Sequence, residues 1–196
     1  MTVKDNELIW AKVKPDAIIP TKRDEDAGYD IYPCFEEDYI IIPPHETKMI
    51  PTGIASAFTE DYVAILKERG STGTKGIAQR SGVIDSGFRS EWQCPITNTN
   101  TVDLIISKLT IEELIKKYAT KDEEGYQYMM NGSWSVYLTV DEEDKEDLPI
   151  IHYYSKAICQ AIFLPVPKMK TFETSYDELL SVESERGMGM LGSSLK

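Results

Sequence analysis

The residues best suited to chemistry lie between Lys67 and Arg89, in KERGSTGTKGIAQRSGVIDSGFR. Five bases (Lys67, Arg69, Lys75, Arg80, Arg89) stand there against two acids (Glu68, Asp85), a surplus of three positive charges in a chain of net charge −12. Five glycines (Gly70, Gly73, Gly76, Gly82, Gly87) alternate with small hydroxyl residues. Glycine lets a backbone approach a ligand closely, and exposed amides with Arg and Lys bind phosphate oxygens. Asp85 stands between the apolar Val83-Ile84 pair and a Ser86-Gly87 turn. A carboxylate fixed at such a point can hold a water and take its proton. The pattern reads as a phosphate cradle followed by a candidate general base. An Asp at a turn is also a common turn former, so the elements around it have to decide.

Those elements are mostly short strands. Leu8–Val13, Tyr39–Ile42, Lys48–Phe58, Tyr62–Leu66 and Val102–Ser107 are apolar or β-branched runs. Gly, Pro or acidic residues separate them, with Pro15, Pro20 and Pro43-Pro44 as the clearest stops. Strands at this rhythm predict a sandwich, barrel or jelly roll, and the lack of βαβ alternation argues against a doubly wound sheet. Gln79–Ile84 and Trp92–Asn98 read as the arms of a hairpin that turns at Asp85-Ser86-Gly87. Ala157–Val166 is continuously apolar except for Gln160, which predicts a buried strand carrying one amide.

A different pattern interrupts the strands. Thr110-Ile-Glu-Glu113 is a capping box, and Ile111, Leu114, Ile115 and Tyr118 recur at helical spacing, predicting a helix over 110–119. Tyr126–Val140 reads as a hairpin turning at Asn131-Gly132, followed by the acidic run Asp141–Asp147. The expected organisation is one domain over 1–196, an inserted helix and hairpin region at 108–150 outside the β core, and a flexible Gly-Ser-rich arm at 181–196. Ser175-Tyr-Asp-Glu178 is a second capping signal just before that arm.

The chain has 196 residues and 41% hydrophobic content, enough for a proper core. A pI of about 4.7 argues against general affinity for nucleic acid or an anionic membrane, which need basic surfaces. An anionic ligand would bind at a local basic site, helped by a divalent cation. Cys34, Cys94 and Cys159 are scattered in apolar runs without a CxxC, predicting buried reduced thiols. His45 and His152 are too isolated to make a metal site. No apolar run approaches the ~20 residues of a membrane span. The expectation is a soluble cytoplasmic protein.

Five stretches resemble, in order, the five motifs of the trimeric deoxyuridine triphosphatases (dUTPases). They are Ala27-Gly-Tyr-Asp-Ile31, Arg69-Gly-Ser-Thr-Gly-Thr-Lys-Gly76, Gly82-Val-Ile-Asp-Ser-Gly-Phe-Arg89, Ala157-Ile-Cys-Gln160 and Arg186-Gly-Met-Gly-Met-Leu-Gly-Ser-Ser194. The insertion between the third and fourth motifs is similar to that of phage and Gram-positive members. The resemblance implies a distorted β jelly roll assembled as a homotrimer, with sites shared between chains. It implies hydrolysis of dUTP to dUMP and pyrophosphate with Mg²⁺.

Carried onto this chain, the resemblance makes Asp85 the catalytic base. Arg69, Gly70, Ser71 and Thr72 form the phosphate loop, with Gly70 where many relatives have Ser. Val83, Ile84, Gln79 and Gln93 border the uracil slot. Phe88, usually Tyr in relatives, packs on the deoxyribose and leaves no room for a 2′-hydroxyl. Gln160 lies near the phosphates, and Asp30 touches Mg²⁺ through water. Arg186, Leu191, Gly192, Ser193 and Ser194 close over the nucleotide, with Leu191 in place of a stacking aromatic. Two alternatives stay open. One is an added role for the insertion in binding a protein partner, and the other is dCTP deamination.

Overall fold

The computed structural model describes residues 2–185 and 187. It divides into two compact units, Met1–Val166 and Pro167–Lys196. The first is a distorted β jelly roll. Its central sheet runs Gly28–Ile31, Cys159–Pro165, Tyr62–Lys67, Val83–Ile84, all antiparallel. A second sheet orders Thr47–Pro51, Gln93–Asn98 and Ile77–Gln79, and Leu8–Lys12 pairs with Ile54–Phe58. The core between them includes Ile31, Ile50, Ile54, Leu66, Trp92, Ile96 and Ala161.

The apolar run 48–58 is two strands in different sheets. Gly53 makes the break, with φ +66. A Cβ there would lie 2.8 Å from both Ala17 Cβ and Cys34 Sγ, so both the turn and the packing require glycine. A similar break corrects the expected hairpin. Ile77–Gln79 does pair with Gln93–Asn98, and Arg80 N donates to Pro95 O at 2.9 Å. Beyond Arg80 the chain leaves that partner, and Val83-Ile84 pairs instead with Ala64-Ile65. The turn at Asp85–Phe88 forms, with Phe88 N donating to Asp85 O at 3.0 Å. It therefore connects two sheets rather than the arms of one hairpin.

The helix forms over Ile111–Tyr118 with its capping box complete: Thr110 Oγ1 accepts from Glu113 N at 3.3 Å, and Glu113 Oε2 accepts from Thr110 N at 2.8 Å. The hairpin pairs Gln127–Asn131 with Trp134–Tyr137 about Gly132, whose φ is +66, and Thr120–Lys121 adds a third strand. This region lies outside the main core and packs on the outer face of one of its sheets. Leu114, Met129, Val136 and Leu138 share a buried cluster with Ile41 and Ile105 of the jelly roll. The sheet Ile150–Tyr153, Leu104–Ser107, Tyr39–Ile42 is thus covered on both faces. Ile42, Leu104 and Ile106 face the main core, and Ile41 and Ile105 face the insertion. A strand alternates its side chains, so two-sided burial produces the unbroken Tyr39-Ile-Ile-Ile42 and Leu104-Ile-Ile106 runs. Leu104–Ser107 and Ile150–Tyr153 are parallel, and the region between them serves as the long crossover that a parallel pair needs.

In the second unit Ser175 caps a short helix, Tyr176–Leu180, as its capping signal predicts. The three cysteines are buried free thiols, with Cys94 Sγ and Cys159 Sγ 3.0 Å apart. Burial, and then the Cys94 neighbour, push the Cys159 thiol well up, so it stays protonated. Among the described residues no helix is long and apolar enough to cross a membrane.

Candidate active site

Three of the five sequence stretches converge on one pocket of about 810 Å³. The central sheet brings them together. Gln160 sits opposite Asp30 on one side and Lys67 on the other, so the first and fourth stretches are cross-strand neighbours. Arg69 follows directly from the end of the Tyr62–Lys67 strand. Its Nε lies 2.8 Å from Asp30 Oδ1 and its Nη2 donates to Asp30 Oδ2 at 3.2 Å. This two-point pairing fixes the guanidinium plane. Both side chains remain 31% exposed, so the pair orients the arginine without sealing it from a ligand. Arg69 Nη1 also donates to Ser71 Oγ at 3.4 Å.

Residues 70–73 form a single helical turn. Thr72 is buried and faces inward. Its Oγ1 donates to Arg69 O at 3.0 Å and accepts from Arg69 N at 3.1 Å, so it holds the turn and does not line the pocket. Gly70, Ser71 and Gln160 do line it. Gln160 Nε2 donates to Glu68 O at 2.8 Å. A Cβ on Gly28 would lie 2.4 Å from Gln160 Oε1, so the glycine of the first stretch makes room for the amide of the fourth. Lys22 and Arg23 also line the pocket. Sequence reasoning passed over them, although Thr21-Lys-Arg23 places two bases just ahead of the first motif.

The third stretch and the following strand build a separate cleft of about 350 Å³ from Val83, Ile84, Phe88, Trp92 and Gln93, with Met49 and Glu91 as unforeseen neighbours. Val83 and Phe88 are 59% and 42% exposed, an uncovered apolar surface. Trp92 N donates to Ile54 O at 2.8 Å, Thr52 Oγ1 donates to Trp92 O at 2.7 Å, and Glu91 Oε1 accepts from Gly53 N at 2.7 Å, which fixes the cleft floor. Arg89 clasps the turn: its Nη1 donates to Ser86 O at 2.5 Å, Phe88 O at 3.1 Å and Ser56 O at 3.4 Å. Asp85 starts that turn, is exposed, and makes no side-chain hydrogen bond to the described residues. Gln79 is buried and does not line the cleft. Arg186, Leu191, Gly192, Ser193 and Ser194 lie outside the described residues.

His152 is buried, within electrostatic reach of Arg69 and Lys75. Burial lowers its pKa, Lys156 O opposes this, and the positive charges of Lys75 and Arg69 lower it further.

A family model described as dUTPase matches residues 14–110, which span the first three stretches. The chain belongs to the dUTPase family. It is 28% identical over 136 residues to a deoxyuridine 5'-triphosphate nucleotidohydrolase of Leptospira interrogans, covering 61% of this chain and 93% of the relative. It is 34% identical over 101 residues to the Pol polyprotein of caprine arthritis encephalitis virus, 52% of this chain but only 9% of the polyprotein. Among solved structures, the dUTPase of Staphylococcus bacteriophage 80alpha with dUpNHpp superposes with a TM-score of 0.62 at 22% identity, covering 96% of this chain and 98% of that one. A variant dUTPase from phage phi11 of S. aureus, in which a structural Mg(II) ion is coordinated, superposes with a TM-score of 0.55 at 21% identity over 86% of this chain and 98% of that one. The dUTPase fold therefore extends through the insertion as well as the matched segment.

Proposed function

We propose that this dUTPase-family chain hydrolyses dUTP to dUMP and pyrophosphate, with Asp85 as the base. The observation that carries this reading is the convergence of Asp30, Arg69, Ser71 and Gln160 on one pocket, alongside an apolar cleft that ends in a turn begun by a free carboxylate. The cradle holds the triphosphate through Arg69, Ser71 and backbone amides. The cleft takes uracil between 80–84 and 92–95, whose backbone groups pair with the edge of the base. Phe88 lies flat on the sugar, where an unpaired 2′-hydroxyl would cost about 1–3 kcal/mol. Asp85 orients a water and takes its proton as oxygen bonds to the α-phosphorus. The bond from that phosphorus to the bridging oxygen breaks, and pyrophosphate leaves.

A divalent cation fits the cradle if it arrives on the phosphates. Both Asp30 oxygens are engaged by Arg69, and no three His, Cys, Asp or Glu side chains converge among the described residues. Asp30 would hold such an ion, Mg²⁺ in this reading, through water, and the ion would neutralise phosphate charge. The described residues that line the cradle and the cleft are disjoint sets. That supports a homotrimer in which the cradle of one chain meets the cleft of another, with Arg186 and residues 191–194 closing over both. Pyrophosphate release from dUTP, UTP, dTTP and dCTP, with Mg²⁺ and with chelator, tests the assignment. Strongly preferential release from dUTP, cut about 10³-fold in Asp85→Asn, is expected. Ammonia from dCTP would replace this reading with deamination.

A further inference from the structure

Cradle and cleft are joined through one inward-facing amide. Gln79 lies in the short strand between them and is 7% exposed. Its side-chain amide lies between Leu66 O, at 3.0 Å, and Ser81 N and Oγ, at 2.7 and 2.5 Å, and satisfies all three when its nitrogen is assigned to face Leu66 O and its oxygen to face Ser81. Its backbone N donates to Glu68 Oε1 at 3.2 Å. The carbonyl of the same Glu68 accepts from Gln160 in the cradle at 2.8 Å. A continuous relay thus runs from Gln160 through Glu68 and Gln79 to Ser81, which lines the cleft.

The segment that the relay reaches has little else to hold it. Arg80 N donates to Pro95 O, and Val83-Ile84 is only a two-residue strand paired with Ala64-Ile65. Between these points the Gln79 amide holds Ser81. Recognition of a base edge by backbone groups depends on their placement to a fraction of an ångström.

We propose that Gln79, held by Glu68, is a positioning residue that sets the 80–84 wall of the cleft from the cradle side and thereby tunes base selectivity. Neither side chain touches substrate. This rests on the reading of the cleft as a uracil site.

The test compares the native chain with Gln79→Leu, Glu68→Leu and Glu68→Gln. It uses pyrophosphate release from dUTP and dCTP, dUMP titration and thermal melting. Gln79→Leu leaves Leu66 O and Ser81 N without their partner. It should raise the KM for dUTP and the Kd for dUMP about tenfold, and lower the preference for dUTP over dCTP about tenfold, with kcat within about threefold of native. Glu68→Leu should act in the same direction by about threefold. Glu68→Gln keeps an oxygen that accepts from Gln79 N, and should stay within about twofold of native. If Gln79→Leu does not fold, Ser81→Ala carries the test, since it removes one contact to the amide and should raise KM about threefold. A folded Gln79→Leu or Ser81→Ala with native KM and selectivity overturns the proposal. So does Glu68→Gln as damaging as Glu68→Leu, or a loss of kcat that follows melting with KM unchanged. A native chain that releases no pyrophosphate from dUTP overturns the hydrolase reading and this inference together. Release by the native chain with an indifferent Gln79→Leu overturns this inference alone.

Discussion

The cradle and the cleft are built on opposite principles. In the cradle every key side chain already has a partner within the chain: Arg69 on Asp30, Gln160 on Glu68, Thr72 on the Arg69 backbone. In the cleft the floor is bonded, but Val83 and Phe88 are exposed and the Asp85 carboxylate is unpaired among the described residues. Preorganised charge is ready to receive phosphates without paying for rearrangement. An apolar wall open to water is only half of a binding site, and a base of this kind is effective once the water around it is excluded. The contrast implies that one chain supplies a finished half and an unfinished half.

The sharpest way to break this contrast is to disable each half in a different chain. Asp85→Asn should lower kcat about 10³-fold, the scale of general base catalysis. Arg69→Leu should cost a similar factor in kcat/KM, because it removes the cation and strands Asp30. Refolded together, the two variants should regain at least about a hundredfold over either parent, since some sites then combine an intact cradle from one chain with an intact cleft from another. Pyrophosphate release from the mixture is the measurement. No regain in a mixture shown by sedimentation to be oligomeric would mean that each chain carries its whole site.

Gly28→Ala probes the cradle alone. The added methyl would lie 2.4 Å from Gln160 Oε1 and 3.2 Å from its Cβ, so Gln160 must swing away from Glu68 O. The expected result is a KM for dUTP raised about tenfold at nearly native kcat, the cost of one lost buried hydrogen bond and modest overpacking. A native KM would show that Gln160 holds nothing the substrate needs.

The insertion should respond differently from both halves. Leu114 is fully buried against jelly-roll residues as well as its own strands. Leu114→Ala should cost about 2–5 kcal/mol in urea denaturation while KM and kcat stay within about twofold. A kinetic change without a stability change would bring the insertion into the site.

How much of this was legible in the sequence depends on the range of the interactions. The helix at 111–118 and its cap are set by residues three and four apart, so they could be read directly. The cradle was legible as a motif, because Gly70, Ser71 and Arg69 are adjacent and act through one local turn. The sheet change at Gly53 was not, because it depends on the close approach of the distant Ala17 and Cys34. Nor was the change at Arg80–Gly82, because strands two or three residues long have too few alternations to fix their face or partner. The same ambiguity turned Gln79 inward, where a border of the uracil slot was expected. The place of the insertion had left a trace: three consecutive isoleucines at 40–42 and the Leu104-Ile-Ile106 run need a second apolar face. Which segment supplies that face is a matter of tertiary packing, and no local pattern shows it.

The smallest expected effect tests the electrostatics of the cradle. His152 is buried, and the charges of Lys75 and Arg69 add to the burial in lowering its pKa. A depressed histidine is neutral in the folded chain while the unfolded chain still takes up a proton. Stability from this group is therefore complete above the ordinary histidine value of about 6.5 and falls as pH drops through it toward the folded value. One proton contributes a slope of up to about 1.4 kcal/mol per pH unit in that window. Urea denaturation at about pH 7.5 and about pH 5.5 should show the native chain losing roughly 0.5–1 kcal/mol more than His152→Gln, since carboxylate titrations are common to both. Removing one cradle charge sharpens the test. In Arg69→Leu the excess loss should shrink but persist, because burial is the larger cause and charge the smaller. If it vanished, charge rather than burial would govern this histidine, and the cradle's field would reach deeper into the jelly roll than its geometry implies.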